Sequence, residues 1–278
     1  MNTRRAGTLW VVATPIGNLE DFSPRAQRVL REVALIAAED TRHSKPLLAH
    51  FGIGTPLAAL HEHNEREAIV PLLAKLEAGE DVALISDAGT PLISDPGYRL
   101  VRAAREAGHR VSAVPGACAA IAALSVSGLP SDRFVFEGFL PAKAAARRTR
   151  LRELAHEPRT LVFYESAHRI RECCGDMREA FGATREARLL REITKLYETA
   201  IGDTLEAICA RLAEDGNQQR GEFVLVVTGA GEETDDKLAE GKRVYALLRG
   251  ELPPAQAAKL AATISGAPRR KLYEGGAG

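Results

Sequence analysis

Polar and small side chains are concentrated at three points of the chain, each directly after an apolar run. The densest is residues 85–97, which include two each of Asp, Gly, Pro and Ser, and one Thr. Here Asp87 and Thr90 could receive amine or hydroxyl groups of a ligand, and Gly89 leaves backbone amides open to a carboxylate or phosphate. An elaborate turn is the alternative, and we favour a ligand site. For Asp95 we expect a structural role, as the N-cap of the next helix.

The other two segments have the same character. Residues 13–21 lack both the G-x-G-x-x-G dinucleotide fingerprint and the Walker lysine, but their small residues let a ligand approach the backbone closely. An ordinary turn between a strand and a helix is the alternative. Residues 114–120 begin a helix of mostly small residues, and the free N–H groups at its start suit an anion or an adenine edge. The alternative is that the small side chains serve close packing of the helix on a sheet. Together the three segments predict a site for a small polar cofactor.

A scaffold must bring these segments to one place. Strand-like runs alternate with helical patterns, which indicates an α/β fold of parallel βαβ units and a doubly wound sheet. The predicted strands cover residues 9–13, 34–38, 81–86, 110–114, 134–136, 160–164, 188–190 and 222–227. Because ligands in such sheets bind beyond the carboxyl ends of the strands, we expect the three segments to line one site.

Helix signals and a turn-rich stretch set the predicted boundaries. Ser23 is the predicted N-cap of a helix that starts at Pro24, Asn64 and Glu67 form a predicted capping box, and a further helix should start at residues 95–96. Later helices are predicted at residues 142–156, 168–181, 203–214, 235–249, 254–264 and 268–273. The predicted domains are an α/β domain over residues 1–131, a second over 132–232, and a helical appendage over 233–278.

Composition excludes several classes of protein. The 278 residues are 45% hydrophobic and 27% charged, as in folded soluble proteins. No apolar run approaches the roughly 18–20 residues of a membrane span, so we expect no membrane partner and a cytoplasmic location. The four cysteines form no C-x-x-C pair, and no nearby cysteine completes a zinc set with His61 and His63. We therefore expect reduced thiols and no metal.

The formal net charge of zero argues against a uniformly basic protein, but it conceals two cationic segments. Residues 143–152 carry five cations and no acid, and residues 242–278 carry seven cations and two acids. Such runs are usually solvated helix faces, yet two in one chain favour contacts with RNA phosphates. The expected RNA contacts in the first segment are Lys143, Arg147, Arg148 and Arg150.

The chain also carries a family resemblance. Residues 13–21, 38–42, 86–91 and 115–117 resemble the tetrapyrrole methylase superfamily of S-adenosylmethionine-dependent enzymes. Within it, the chain is similar to the enzymes that methylate the ribose 2′-oxygen of a cytidine in 16S rRNA. Further similar segments are residues 138–141, 163–166 with His168 and Arg169, 192–195 and 221–223, so that the resemblance runs in order over about residues 8–230. Two departures are mild: Ala167 replaces a usual proline and Ile193 a usual leucine.

The resemblance implies two α/β domains with S-adenosylmethionine in the cleft between them, and a homodimer that acts on 16S rRNA in the small ribosomal subunit. The implied cofactor contacts are Pro15, Asp87, Gly89, Thr90, Pro91, Ile93, Ala117, Cys118, Tyr164, Gly221 and Glu222. It also favours substrate contacts by Glu39, Asp40 and Arg42. From the residues alone, a helix cap at Thr41 and an ion pair of Arg42 with a neighbouring acid are equally good interpretations.

A ribose 2′-hydroxyl is a poor nucleophile, so a general base would help. The candidates are Glu165, Lys195 and Asp40; Lys195 would need a pKa lowered by burial, whereas a salt-bridged lysine is the commoner outcome. Two other functions stay open, a methyltransferase on a tetrapyrrole precursor and a non-catalytic RNA- or ribosome-binding module. The cationic tail and residues 38–42 favour RNA, and the intact loops favour an enzyme.

Overall fold

Two five-stranded β-sheets and a helical tail organise the chain in a computed structural model that describes residues 6–61, 64–230 and 234–273. His63, the predicted domain boundary at residues 232–233, the start of the first predicted domain and the end of the third lie outside these ranges. The division into three domains therefore stays a prediction.

The first sheet is entirely parallel. Its elements are β1 (Thr8–Val12), α1 (Pro24–Glu32), β2 (Leu35–Ala38), α2 (Thr41–His50), β3 (Leu57–Ala59), α3 (Glu65–Glu77), β4 (Val82–Ile85), α4 (Tyr98–Glu106) and β5 (Arg110–Val114). The strands lie in the order β3-β2-β4-β1-β5. Helices α1 and α2 bury Leu30 and Leu48 on one face, and α3 and α4 bury Leu76 and Leu100 on the other. The predicted doubly wound sheet is confirmed here.

Two helix starts test the predicted caps. The Ser23 hydroxyl accepts a hydrogen bond from the Ala26 amide at 3.1 Å, and Pro24 is the first helical residue, as predicted. Asn64 precedes α3 but makes no side-chain cap. Its Oδ1 instead accepts from the His61 amide at 2.8 Å, so the side chain turns back to the preceding loop and the predicted capping box is wrong.

The second sheet is mixed. Its elements, with the helices that accompany it, are α5 (Ala119–Val126), β6 (Phe134–Phe139), α6 (Ala144–Leu154), β7 (Thr160–Ser166), α7 (Ile170–Phe181), β8 (Ala187–Arg191), β9 (Thr199–Ile201), α8 (Leu205–Glu214) and β10 (Glu222–Val227). The order is β6-β7-β10-β8-β9; β6 and β7 pair in parallel and the other pairs are antiparallel. The expectation of parallel units throughout is wrong here, because the connection from β8 to β9 is too short for a helical crossover.

Helices cover both faces of the second sheet, and one of them comes from an early part of the chain. Helices α6, α7 and α8 pack on one face around Phe163 and Leu225. On the other face Ala123 and Leu124 of α5 pack against Val162 and Val226. Helix α5 thus precedes the predicted boundary at residue 131 in sequence but belongs to the second sheet in packing.

The tail is helical, as predicted. It consists of α9 (Thr234–Leu248), α10 (Pro254–Ser265) and α11 (Arg269–Tyr273). A small core of its own contains Val244, Ala261, Ala267 and Leu272.

Candidate active site

The loops that follow the strands of the first sheet lie together. The Thr14 amide donates to the Gly89 carbonyl at 2.9 Å, and the Gly89 amide donates back to the Thr14 carbonyl at 3.1 Å. The Thr90 hydroxyl donates to the carbonyl of Ala117 at 2.9 Å. The predicted convergence of the three segments at the carboxyl edge of the parallel sheet is confirmed.

The loop after β2 joins the same group. The Asp40 amide donates to Oδ1 of Asp87 at 3.1 Å, and the Asp87 amide lies 3.4 Å from Oε2 of Glu39. Glu39 and Asp87 therefore meet between β2 and β4, which are neighbours in the sheet. Two carboxylates at this edge favour a ligand with positive charge.

A cavity of about 410 Å³ lies between these loops and the second sheet. Its volume is within the range of small-molecule sites. The lining residues from the first half are Ile16, Glu39, Asp87, Ala88, Gly89, Thr90, Ile93, Ser94, Asp95, Cys118 and Ala119. Those from the second half are Phe139, Tyr164, Glu165, Ser166, Ile193, Glu222, Phe223 and Val224. One wall is thus rich in acids and hydroxyls, and the other is mainly aromatic and aliphatic.

Most of the predicted cofactor residues line this cavity. They are Asp87, Gly89, Thr90, Ile93, Cys118, Tyr164 and Glu222. The other four, Pro15, Pro91, Ala117 and Gly221, are each next in sequence to a lining residue. Of the predicted substrate and base residues, Glu39 and Glu165 line the cavity, whereas Asp40, Arg42 and Lys195 do not.

The loop after β4 differs from its predicted form. Helix α4 starts at Tyr98, and its N-cap is Gly97, with φ of 118°. Asp95 is therefore not a helix cap, and it lines the cavity instead. The reason is local: Leu92 and Ser94 have φ values of 73° and 67°, so the loop continues past Pro96 and the helix begins two residues later than expected. Left-handed backbone at non-glycine residues is a feature of functional loops.

Asp95 is a carboxyl group of the cavity whose pKa is shifted by its surroundings. Burial, helped by the nearby charges of Glu39 and Asp87 and opposed by a hydrogen bond from Ser86, raises its pKa to about 6. Sequence reasoning missed this residue because it assigned the aspartate to the helix start. The signal that could have found it is the second aspartate of an already polar loop.

The aromatic wall is fixed by Tyr164. Its hydroxyl accepts a hydrogen bond from the Ala120 amide, at the start of α5, at 3.0 Å, and its ring makes an edge contact with Phe136 at 5.0 Å. Burial raises the pKa of Tyr164. Tyr164 therefore stays neutral and holds α5 against the second sheet.

Glu165 is the predicted base that lies in the cavity wall, and its two oxygens have different surroundings. The residue is 3% exposed. Its Oε1 accepts from the Ser166 amide at 2.8 Å, and its Oε2 is 3.3 Å from the Arg169 guanidinium. Oε2 accepts no hydrogen bond from the described residues, so Glu165 stays a candidate proton acceptor as well as the ion-pair partner of Arg169.

The other two predicted bases are in ion pairs. Asp40 is the N-cap of α2, in place of the Thr41 cap considered above, and accepts from the Arg42 amide at 2.8 Å. The Arg42 guanidinium also contacts Asp40 and holds the pKa of Asp40 well below its usual range. The interpretation of Arg42 as the partner of a neighbouring acid is confirmed.

Lys195 is likewise paired. Its Nζ lies 3.0 Å from Glu192 and 2.9 Å from Glu222. Burial works against the charge of Lys195, but the hydrogen bonds to the two glutamates outweigh it and raise the pKa. A lysine base with lowered pKa is therefore wrong, and the salt-bridged alternative is confirmed.

The cationic segment on α6 is only partly available to RNA. Arg147 is 2% exposed, and its Nε donates to Oδ2 of Asp176 on α7 at 2.6 Å. The prediction that Arg147 contacts RNA is wrong, because the side chain lies four residues before buried Leu151 and shares its inward face. Arg148 pairs with the same aspartate from a more exposed position, Arg150 pairs with Glu137, and Lys143 is exposed.

Three further expectations concern metals, thiols and membranes. Within residues 6–61, 64–230 and 234–273, His, Cys, Asp and Glu form no group of three or more that could hold a metal ion. All four cysteines are free thiols. No helix in the same part of the chain has the length and apolar character to cross a membrane.

Comparisons with known proteins give the family. Residues 8–209 match the tetrapyrrole (corrin/porphyrin) methylases. The chain is 61% identical over 269 residues to ribosomal RNA small subunit methyltransferase I of Xylella fastidiosa, covering 97% of this chain and 98% of the relative. It is 61% identical over 271 residues to the protein of that name from Pseudomonas aeruginosa, covering 97% and 96%. The chain belongs to the ribosomal RNA small subunit methyltransferase I family of tetrapyrrole methylases.

Two more similarities complete the comparison. Residues 235–275 match the RsmI C-terminal HTH domain, so this family's tail accounts for α9 to α11. A solved uroporphyrin-III C-methyltransferase from Thermus thermophilus, complexed with S-adenyl homocysteine, has a TM-score of 0.54 at 19% identity and covers 80% of this chain and 97% of its own. At that identity the likeness shows the fold alone, and it agrees with the predicted α/β class.

Proposed function

We propose that the protein transfers a methyl group from S-adenosylmethionine to the ribose 2′-oxygen of a cytidine in 16S rRNA of the small ribosomal subunit. The observation that carries the proposal is the cavity at the carboxyl edge of the parallel sheet, in a chain 61% identical to relatives named for small-subunit rRNA methylation. The chain's family supports the use of S-adenosylmethionine, and the cytidine 2′-oxygen is the finer part of the proposal.

The residues of the cavity fit this cofactor. S-adenosylmethionine supplies an electrophilic methyl group on a positively charged sulfonium. Glu39, Asp87 and Asp95 provide negative charge for the sulfonium and the ammonium group. Gly89 has φ of 80°, and a Cβ there would lie 3.1 Å from Ile16, so glycine keeps the backbone open to a ligand. The aliphatic and aromatic wall around Val224 suits an adenine ring.

Asp95 is the group best suited to accept the proton of the 2′-hydroxyl. Catalysis of this displacement depends first on alignment, and a base with pKa near the working pH adds to it. The pKa of Asp95, raised by burial to about 6, leaves its carboxylate mostly ionised near pH 7 yet more basic than an ordinary aspartate. Asp40 is too acidic for this role, and Lys195 keeps its proton.

RNA contacts are proposed for the exposed cations. Lys143, Arg148 and Arg150 on and before α6 remain proposed phosphate contacts, as does Arg42, whereas Arg147 is withdrawn. The tail adds Lys259 and the three cations of α11, Arg269, Arg270 and Lys271, all at exposed positions. A homodimer and the three predicted domains, residues 1–131, 132–232 and 233–278, belong to the same proposal.

One experiment tests the reaction. The full chain is incubated with methyl-labelled S-adenosylmethionine and, in parallel, with 30S subunits, free 16S rRNA and a precorrin. We expect label in the ribose of one cytidine. Label on a base would contradict the 2′-oxygen, label on the precorrin would support the tetrapyrrole alternative, and no transfer to any substrate would support a binding module.

A matched pair of variants tests the cofactor site. Thr90→Val removes the hydroxyl that donates to Ala117 across the loops, and we expect weaker binding of S-adenosylmethionine by about fivefold, as for loss of one hydrogen bond. Thr149→Val removes a similar hydroxyl–carbonyl hydrogen bond on exposed α6 and should leave binding unchanged. Equal affinities of the two variants in calorimetry would argue against this cavity as the cofactor site.

A further inference from the structure

Phe139 is a large aromatic side chain left in solvent at the edge of the cavity. It is 56% exposed and is also one of the lining residues. Its ring makes an edge contact with Tyr164 at a centroid distance of 5.7 Å and an interplanar angle of 65°. Tyr164 is itself held by Phe136 and by the Ala120 amide. One side of the Phe139 ring is therefore supported, and much of the rest is open.

A β-bulge puts Phe139 in this position. The pairing of β6 with β7 runs Phe136 with Val162, then Gly138 with Phe163 and Phe139 with Tyr164. The extra residue changes which face of the sheet Phe139 occupies, since successive side chains of a strand alternate. In a regular strand Phe139 would lie opposite Glu165, on the other face. The shift places it beside Tyr164 and over the cavity.

Gly138 is what allows the bulge. Its φ is 65°, in the left-handed region, and a Cβ there would lie 2.8 Å from the Ser94 hydroxyl. Ser94 belongs to the loop after β4, which carries Asp95 and lines the opposite wall. Gly138 therefore lets the loop of the first sheet approach β6 and at the same time turns Phe139 towards the cavity. The two effects place an open aromatic ring at the cavity that the proposed proton acceptor also lines.

An open, supported aromatic ring is the usual platform for an unstacked nucleobase. Proteins that recognise RNA by sequence or at single nucleotides stack bases on Phe, Tyr and Trp, because a splayed base keeps a hydrophobic face that water solvates poorly. A methyl transfer to a ribose inside a folded rRNA needs the target nucleotide to leave its neighbours. Stacking would then fix the base while the ribose reaches inward.

We propose that Phe139 stacks on the base of the target nucleotide and so positions its ribose at the cavity. This inference rests on the proposed function, since it needs an RNA substrate at this site. Phe139 is a substrate-positioning residue in this view and not part of the cofactor site. Its exposure places it where a nucleotide of a large RNA can reach, whereas the residues proposed for the cofactor, apart from exposed Glu222, are buried or half-buried.

Phe139→Leu tests the proposal, because leucine keeps an apolar side chain and removes the stacking face. We expect the KM for 30S subunits to rise by about 5- to 150-fold, with affinity for S-adenosylmethionine unchanged. Phe139→Tyr keeps the ring and should restore KM to within about threefold of the parent. Phe134→Leu is the matched control: Phe134 lies on the same strand, is 37% exposed and does not line the cavity, so its KM should not change.

Three results for the KM would overturn the inference. They are an unchanged KM in Phe139→Leu, an equal loss in the Phe134 control, and a failure of Phe139→Tyr to recover in a protein with parental melting temperature. A loss of S-adenosylmethionine affinity equal to the loss for RNA would also overturn it, by assigning the ring to the cofactor.

Binding measurements separate this inference from the proposed reaction. The parent and Phe139→Leu are compared for retention of 30S subunits with S-adenosylhomocysteine present. If the parent binds and the variant binds 5- to 150-fold less tightly, the stacking role stands even where no label reaches a ribose, and only the proposed reaction fails. If both bind equally, the stacking role fails whatever the reaction.

Discussion

Asp176 and Asp95 are both withdrawn from solvent, but they lie in contrasting surroundings. Asp176 on α7 is 5% exposed and accepts hydrogen bonds from Arg147 and Arg148 at 2.6 and 2.7 Å. Burial alone would raise its pKa, but the two guanidinium groups reverse the effect and lower it. Asp95 is half-buried beside Glu39 and Asp87, and its pKa rises to about 6. A buried carboxylate that is paired with cations stabilises the fold, whereas a buried carboxylate near other negative charges has a raised pKa that suits proton transfer.

The largest effect should come from Asp176→Ala. The substitution leaves Arg147 buried with only the more distant Glu172 at 3.4 Å, so we expect a loss of about 3–5 kcal/mol in the free energy of unfolding. Urea denaturation measures it. Glu106→Ala, which removes an exposed ion pair with Arg102, is the control and should change little. If Asp176→Ala lost as little free energy of unfolding as Glu106→Ala, Asp176 would not have the structural role that distinguishes it from Asp95.

Asp95→Asn should act on turnover. We expect a fall of about 100-fold or more in the rate of methyl transfer at pH 7.5, because the amide cannot accept a proton. In the parent, the rate should rise with pH through about 6, as Asp95 ionises. Asp132→Asn, at an exposed position outside the cavity, should keep both rate and pH profile. A parental rate in Asp95→Asn would refute the assignment.

The same variant should also gain stability, with a defined dependence on pH. The folded-state pKa of Asp95 is raised from 3.8 to about 6, so the folded protein holds this proton more tightly than the unfolded chain does. The stabilisation that this bound proton gives the folded state is fully present below pH 3.8 and is lost as the pH rises through about 6. The Asp95→Asn variant has no such loss. Its free energy of unfolding should exceed that of the parent by about 1–2 kcal/mol at pH 8, and the two values should converge near pH 4. Thermal melts across this range measure the difference, and a constant offset would speak against it.

The smallest effect is expected for Arg148→Ala. Asp176 keeps its bond to Arg147, and the Arg148 side chain is more than half exposed. The midpoint of urea denaturation should stay within experimental error of the parent, whereas Arg147→Ala should lower it clearly. An equal fall in the denaturation midpoint for Arg147→Ala and Arg148→Ala would show that burial does not determine how much each arginine contributes to stability.

The first sheet and its loops were accessible from sequence because each strand is a buried apolar run with turn residues after it. Strands β1, β2, β4 and β5 lie within a residue or so of their predicted positions. Strands β3 and β9 were missed, since three residues carry too little pattern. The direction of the antiparallel strands was missed as well, because it depends on pairing between distant segments.

The site was only partly predictable, for reasons that particular residues show. Asp87, Gly89 and Thr90 stand out because their types suit a ligand and they directly follow a strand. Asp95 was misassigned because a local cap preference competes with backbone geometry set by Leu92 and Ser94. Arg147 was misassigned because a count of cations ignores helical periodicity, which places it four residues before Leu151. The position of Phe139 at the cavity could not be predicted, because it depends on the register shift between β6 and β7 and no local sequence pattern indicates that shift.

The position of α5 has a consequence for the order in which the protein is made. The ribosome releases residues 119–126 well before β7 and β10, against which this helix packs. Until those strands are synthesised, the apolar side of α5 has no surface to cover, and Tyr164 is not there to receive the Ala120 amide. The amino-terminal half therefore cannot complete its fold before those strands have been synthesised. Both walls of the cavity should reach their final form together, late in synthesis, as one cooperative unit.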